Sequence, residues 1–191
     1  MIKILAFAGS ARKDSYNQKL VKIAATGASE AEAEVTVIDL AHFDMPIYNE
    51  DIEAAYGLPE KAQVFKQLLL AHNGLLIASP EYNGAFSPLL KNALDWASRA
   101  DTPNELPLMA YRGKVAAVMS TSSGAWGGVR GLVFLRMLLA NLGVMVLPSQ
   151  KTVSYAGSAF NEDGGLLNQD DHNAVMALGR ELVSSVACLK N

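Results

Sequence analysis

Ile2-Lys3-Ile4-Leu5-Ala6-Phe7-Ala8 runs without interruption into Gly9-Ser10-Ala11-Arg12-Lys13-Asp14-Ser15-Tyr16-Asn17, and a helical pattern begins at Gln18. A strand that turns directly into a helix presents the free N–H groups of the first helical turn, backed by the positive end of the helix dipole, and so accepts an anion. The loop adds the hydroxyls of Ser10 and Ser15, the amide of Asn17 and the guanidinium of Arg12. Each such donor aimed at a charged oxygen contributes about 1.5 to 3 kcal/mol. One cap residue would start the helix, so four polar side chains including a cation point to a bound phosphate in addition to a cap. After Gly9 the next glycine is Gly27, which excludes the dinucleotide fingerprint G-x-G-x-x-G, and the triphosphate loop G-x-x-x-x-G-K-[ST] is absent as well. What remains is the terminal monophosphate of a mononucleotide.

Outward from this loop, strand and helix patterns alternate. Helices are expected at about 17–30, 59–71, 87–99, 129–142 and 169–189, and strands at 2–8, 35–38, 74–78, 115–119 and 144–147. Gly74-Leu75-Leu76-Ile77-Ala78 is apolar on successive residues, as a strand covered on both faces requires. Five strands alternating with five helices predict one α/β domain over residues 1–191, a parallel sheet with helices on both faces. Right-handed crossovers with the first strand central give the order 2-1-3-4-5. The connections at 40–58, 100–113 and 149–167 are long, and long ordered loops tend to serve function; 100–113 is also readable as an arm that contacts a partner.

The composition narrows the function classes. Half of the 191 residues are apolar, 18% are charged, and the formal net charge is -3 with lysines and arginines scattered, so a nucleic-acid footprint is not expected. The apolar runs are too short to span a bilayer, and no secretory pattern is read at the start of the sequence. The single Cys188 excludes an internal disulfide, suits the reducing cytoplasm, and near the end of a helix reads as a packing residue. His42, His72 and His172 form no metal-binding spacing, and no G-x-S-x-G elbow is present, so neither a metal site nor a hydrolase of that kind is expected.

Open α/β sheets bind ligands outside the carboxyl ends of their strands, where the strand order reverses. The loops after strands three and four should therefore hold the rest of the cofactor. They read Ser79-Pro80-Glu81-Tyr82-Asn83-Gly84 and Ser120-Thr121-Ser122-Ser123-Gly124-Ala125-Trp126-Gly127-Gly128, rich in donors and glycine with aromatics between. Such loops approach a flat ring closely, bond its edge and leave one face open, which is what a flavin needs if its N5 is to be reached by hydride.

These motifs together resemble the NADPH-dependent FMN reductase family of flavodoxin-like proteins. Gly9-Ser10-x-Arg12-x-x-Ser15-x-Asn17 is similar to its phosphate motif, and Pro80-Glu81-Tyr82-Asn83-Gly84 with Leu90-Lys91-Asn92-Ala93-Leu94-Asp95-Trp96 to its second signature. Ser122-Ser123-Gly124, Gly127-Gly128-x-Arg130 and Leu135-Arg136 resemble the third, and the likeness covers about residues 1–150. The resemblance implies a flavodoxin-like three-layer sandwich that binds FMN. Ser10, Arg12, Ser15, Tyr16 and Asn17 would lie at the phosphate, Pro80, Glu81, Tyr82, Asn83 and Gly84 along the isoalloxazine, and Ser122, Ser123 and Gly124 at the ribityl chain or ring edge. It further implies a cytoplasmic homodimer or homotetramer that takes a hydride from NADPH or NADH. By a ping-pong cycle the enzyme would pass two electrons to a quinone, an azo compound, chromate or free flavin. A flavodoxin-like electron carrier and a non-catalytic flavin-binding regulator are the alternatives, separable by turnover. The stretch from Ala100 to Tyr111 departs from the family pattern in being longer and richer in proline.

Several neighbouring residues have plainer readings. Trp96 falls at core spacing with Ala93 and Leu89 on a helix, Lys91 and Asp95 form an exposed pair four apart, and Glu81 is expected to offer only its backbone, since a carboxylate opposes a reduced, anionic flavin. For Trp126 both packing and a place at the site stand open, and for Arg130 solvation, a contact across a subunit interface or the nicotinamide phosphate.

Overall fold

The computed structural model describes residues 1–190. Strands β1 (Lys3–Ala8), β2 (Glu34–Asp39), β3 (Gly74–Ala78), β4 (Val115–Thr121) and β5 (Met145–Val153) form a parallel sheet of order β2-β1-β3-β4-β5. Helices α1 (Tyr16–Glu30) and α7 (Gln169–Lys190) cover one face, and α3 (Glu60–Ala71), α4 (Pro88–Ala97) and α5 (Val129–Asn141) the other. The layering follows from alternation along the strands. Ile4, Ala6 and Ala8 of β1 pack with Leu20 and Leu182, whereas Leu5 and Phe7 pack with Phe65, Leu69 and Leu90. Helices α1 and α7 meet through glycines that allow backbone contact. A Cβ on Gly27 would fall 2.1 Å from the Met176 carbonyl oxygen, and one on Gly179 would fall 2.0 Å from that of Ala24.

Two stretches depart from the expected elements. Strand β5 continues to Val153 instead of stopping at residue 147, because its register against β4 shifts between Ala116 and Val118, and Pro148 lies within this irregular stretch of an edge strand. The connection at 40–58 contains a helix, α2 (Glu50–Tyr56), with Asn49 as its N-cap and no buried residue. A further single turn, α6 (Ala156–Ala159), follows β5. Cys188 is exposed on α7, not packed, because it falls on the solvent side of the helix's last turns. Among the described residues no helix is long and apolar enough to cross a membrane, and no group of three or more His, Cys, Asp or Glu could hold a metal ion.

At the amino-terminal end of the sheet Lys114 is buried and donates from Nζ to the His72 carbonyl at 2.6 Å. Burial lowers its pKa from 10.5 to about 8. Between these values the unfolded chain holds a proton that the folded chain has released, so this group adds stability as pH rises from about 8 to 10.5. Urea titrations of the wild type and Lys114→Met across that window should show the wild type gaining on the variant as pH increases.

Candidate functional site

The loop after β1 is held from three sides. The Gly9 N–H donates to the Ala78 carbonyl at 2.8 Å, and the Ser87 hydroxyl, which also caps α4, donates to the Gly9 carbonyl at 2.5 Å. Further on, the Asn17 carboxamide faces the end of β4. Its Nδ2 donates to the Thr121 carbonyl at 3.0 Å and its Oδ1 accepts the Thr121 N–H at 3.1 Å, both buried. Asn17 thereby stands in for a strand partner across the end of β3. One Nδ2 proton is used on this clamp, and the backbone N–H of the first helical turn stands beside it.

The remaining donors converge on the start of α1. Ser15 is the N-cap and its Oγ accepts the Gln18 N–H at 3.4 Å, while Ser10 Oγ accepts the Arg12 N–H at 3.4 Å. Each hydroxyl uses a lone pair on the backbone and keeps a proton to give. The Arg12 guanidinium is 5.0 Å from the centre of the Tyr16 ring. The first turn of α1 contains no acidic residue, whereas α2, α3 and α7 carry carboxylates in theirs. This donor set, hydroxyl protons with one guanidinium at an uncompensated helix dipole, fits a phosphate.

After β3, Tyr82 and Ala85 exchange backbone hydrogen bonds at 2.8 and 3.1 Å around Asn83 and Gly84, whose φ angles are 52° and 88°. Positive φ at both central residues marks a type I′ turn, the geometry that Asn-Gly favours. The turn is rigid, and Tyr82 at its base is 53% exposed. The Glu81 side chain has a role within the fold: its carboxylate accepts the N–H groups of Arg130 and Gly131 at 3.1 and 3.2 Å and pairs with the Arg130 guanidinium. The reason is α5, whose N-cap is Gly128 and has no side chain to give; Glu81 supplies the missing acceptor. Arg130 pairs with Glu81 through one guanidinium nitrogen and stays largely exposed.

The loop after β4 is braced in turn. Ser120 donates to the Ser79 carbonyl at 2.7 Å, Ser79 N–H to Met119 at 2.9 Å, and Ala156 N–H to the Ser122 carbonyl at 2.9 Å. Ser123, Gly124 and Trp126 are exposed, Trp126 at 70%, so Trp126 does not pack in the core of its own chain. The three turns at 9–17, 79–85 and 120–128 form an open rim at one end of the sheet; a hollow of about 590 Å³ beside α1 reaches it at Lys13, and one of about 340 Å³ lies further along α1.

Residues 91–96 of the second signature serve the neighbouring loop. Asn92 accepts the Tyr48 N–H at 2.8 Å and donates to the Pro46 carbonyl at 2.9 Å, and buried Trp96 donates from Nε1 to the same carbonyl at 2.7 Å. Lys91 and Asp95 form the exposed pair expected, at 2.5 Å. Burial works against the Glu53 carboxylate, but hydrogen bonds from Arg99 and Tyr48 outweigh it and hold its pKa below the ordinary value. The sequence reading missed the braces Ser87, Ser120 and Thr121. Only Ser87 left a signal, as a serine directly before Pro88 at a helix start.

The chain matches the family model described as NADPH-dependent FMN reductase over residues 2–158. It is 37% identical over 172 residues to an NAD(P)H-dependent FMN reductase of Pseudomonas aeruginosa, covering 87% of this chain and 85% of that protein. To a 2-hydroxy-1,4-benzoquinone reductase of a Burkholderia species it is 32% identical over 170 residues, covering 88% and 87%. Its fold superposes on FerB, a flavoenzyme NAD(P)H:(acceptor) oxidoreductase of Paracoccus denitrificans, with a TM-score of 0.81, 27% identity and 98% of both chains covered.

Replacing Asn17 by alanine would leave the buried Thr121 N–H and carbonyl unpaired, at a cost of about 2 to 4 kcal/mol. Urea denaturation of the cofactor-free protein should show a loss of that size. Together with the sheet order and the braced rim, the family match over residues 2–158 makes this chain a member of the NADPH-dependent FMN reductase family.

Proposed function

We propose that the rim binds FMN and that the protein passes two electrons from NADPH or NADH to a quinone-type acceptor by a ping-pong cycle. The observation that carries this reading is the cluster of proton-bearing donors at the start of α1: the Ser10 and Ser15 hydroxyls, the Arg12 guanidinium and the first-turn N–H groups. They would take the phosphate. Pro80 to Gly84 would line one side of the ring through the rigid Asn83-Gly84 turn, and Ser122 to Gly124 its other edge. When bound, FMN supplies the hydride-accepting and hydride-donating chemistry.

The residues of the chain bind, orient and leave access. Glu81 spends its negative charge on α5 and Arg130, so its carboxylate does not oppose a reduced cofactor. The exposed side of the rim, with Tyr82 and Trp126, would receive nicotinamide and acceptor in turn. A quinone acceptor is supported by the benzoquinone reductase relative and a flavin acceptor by the FMN reductase relative. Azo compounds and chromate belong to the same panel. Assembly as a homodimer or homotetramer is part of this reading, and Val133, Phe134 and Met137 of α5 are exposed apolar residues available to it.

Purified protein reconstituted with FMN should lose its absorbance band at about 450 nm when NADPH or NADH is added without air, and regain it on adding a quinone. Bound flavin that neither nucleotide reduces would overturn the enzymatic reading in favour of an electron carrier or regulator. Arg12→Ala should weaken FMN binding by about 10- to 100-fold through loss of charge-assisted hydrogen bonds, with little change in unfolding midpoint. Fluorescence quenching of FMN measures it.

A further inference from the structure

The connection after β5 lies outside every motif of the sequence reading, yet it reaches the phosphate loop. Its short helix α6 ends at Ala159, with Phe160 following as the extended cap residue, and the residues beyond fold back on themselves. Phe160 bridges Leu166, Asn161 N–H donates to the Gly165 carbonyl at 2.9 Å, and Leu167 N–H donates to Ala159 at 2.9 Å. This closed loop holds the Phe160 ring against Tyr16, with centroids 5.5 Å apart and planes at 21°. Tyr16 is the first residue of α1, and its ring in turn carries the Arg12 guanidinium at 5.0 Å.

An exposed arginine that binds an anion must first give up its rotamer freedom, and any contact that orders it beforehand strengthens binding. A cation over a tyrosine face is such a contact. It orders the arginine only if the tyrosine itself is fixed, which is what the stack on Phe160 accomplishes. We propose that Phe160 is a positioning residue for the anion site: it fixes Tyr16, Tyr16 holds Arg12, and residues 154–167 form a fourth wall of the phosphate site. In this arrangement Tyr16 acts through its ring and not as a direct ligand. The inference rests on the FMN reading above.

The test compares FMN with riboflavin, which lacks the phosphate, by fluorescence quenching. Arg12→Ala should weaken FMN and leave riboflavin unchanged. Phe160→Leu should weaken FMN by about three- to tenfold, the range of a lost cation–π contact, again with riboflavin unchanged and with no further loss when combined with Arg12→Ala. Phe160→Trp, which keeps an aromatic face, should restore most of the affinity. Equal weakening of FMN and riboflavin in Phe160→Leu, no weakening, or full additivity with Arg12→Ala would overturn the proposal. Should Phe160→Leu not fold, Tyr16→Leu removes the same stack and is held to the same pattern. An unchanged FMN-to-riboflavin ratio in Arg12→Ala would overturn the phosphate assignment itself and this inference with it, a result distinct from failure at Phe160 alone.

Discussion

The buried carboxamide of Asn17 on the backbone of Thr121 is the constraint from which the site follows. Strands β1 and β4 are not neighbours, since β3 lies between them, so sheet hydrogen bonds alone do not fix the distance between the loops they release. Asn17 bridges that gap over the end of β3, and Ser87 closes the nearer one between Gly9 and the start of α4. Buried hydrogen bonds of this kind are strong locally and costly to leave unmade, so the spacing of the turns is over-determined. A donor array built on braced turns has little ordering left to do when an anion arrives.

The same bracing disposes of charge. Helices α1 and α5 both begin at the carboxyl edge of the sheet, and both positive ends attract an anion. The one at α5 is satisfied internally by Glu81, which comes from the loop after β3. At α1 the cap is a neutral serine and the first turn carries no acid. One helix end is therefore closed and its neighbour left for an external charge, and the carboxylate that closes the first also ties two of the three turns together. Charge placement and mechanical bracing are here one set of contacts.

The parts of this architecture that depend on local pattern were readable from the residues in order. The five strands, their sequence and the three rim loops follow from apolar runs and turn chemistry, and the strand order agrees with the crossover rules. What was not readable depends on partners far apart in sequence. Asn17 stands at the spacing of a phosphate donor, and nothing near it announces a bond to a residue 104 positions away. Glu81 and Arg130 are 49 apart and the need for their contact arises only from the Gly128 cap. Helix α2 escaped for a different reason. None of its residues is buried, so it has no apolar period, and only Asn49 followed by Glu50, Asp51 and Glu53 marks its start. The sequence predicts strand β5 only over the apolar run 144–147; beyond it Pro148 interrupts the ladder and the polar residues that follow carry no strand pattern, while the irregular register against β4 lets the strand resume.

The long connection at 100–113 is anchored from within the fold. Lys66 on α3 is buried and pairs with Glu105 at 2.5 Å, and it also donates to the Arg99 carbonyl at 2.6 Å, while the Asp101 N–H donates to the same carboxylate at 2.9 Å. Withdrawing two charges from water is expensive, and their attraction offsets this cost only where further hydrogen bonds complete both groups. Here each group has one further hydrogen bond, Lys66 to the Arg99 carbonyl and Glu105 from the Asp101 N–H. The pair therefore adds little to stability and much to position, since any displacement of the loop would strand a buried ammonium. Arg99 does the same for the 45–56 segment through Glu53, and Tyr48 joins them. Both long connections are anchored to α3 and α4, the helices that also carry the core behind the rim. Their anchoring makes them segments of fixed position.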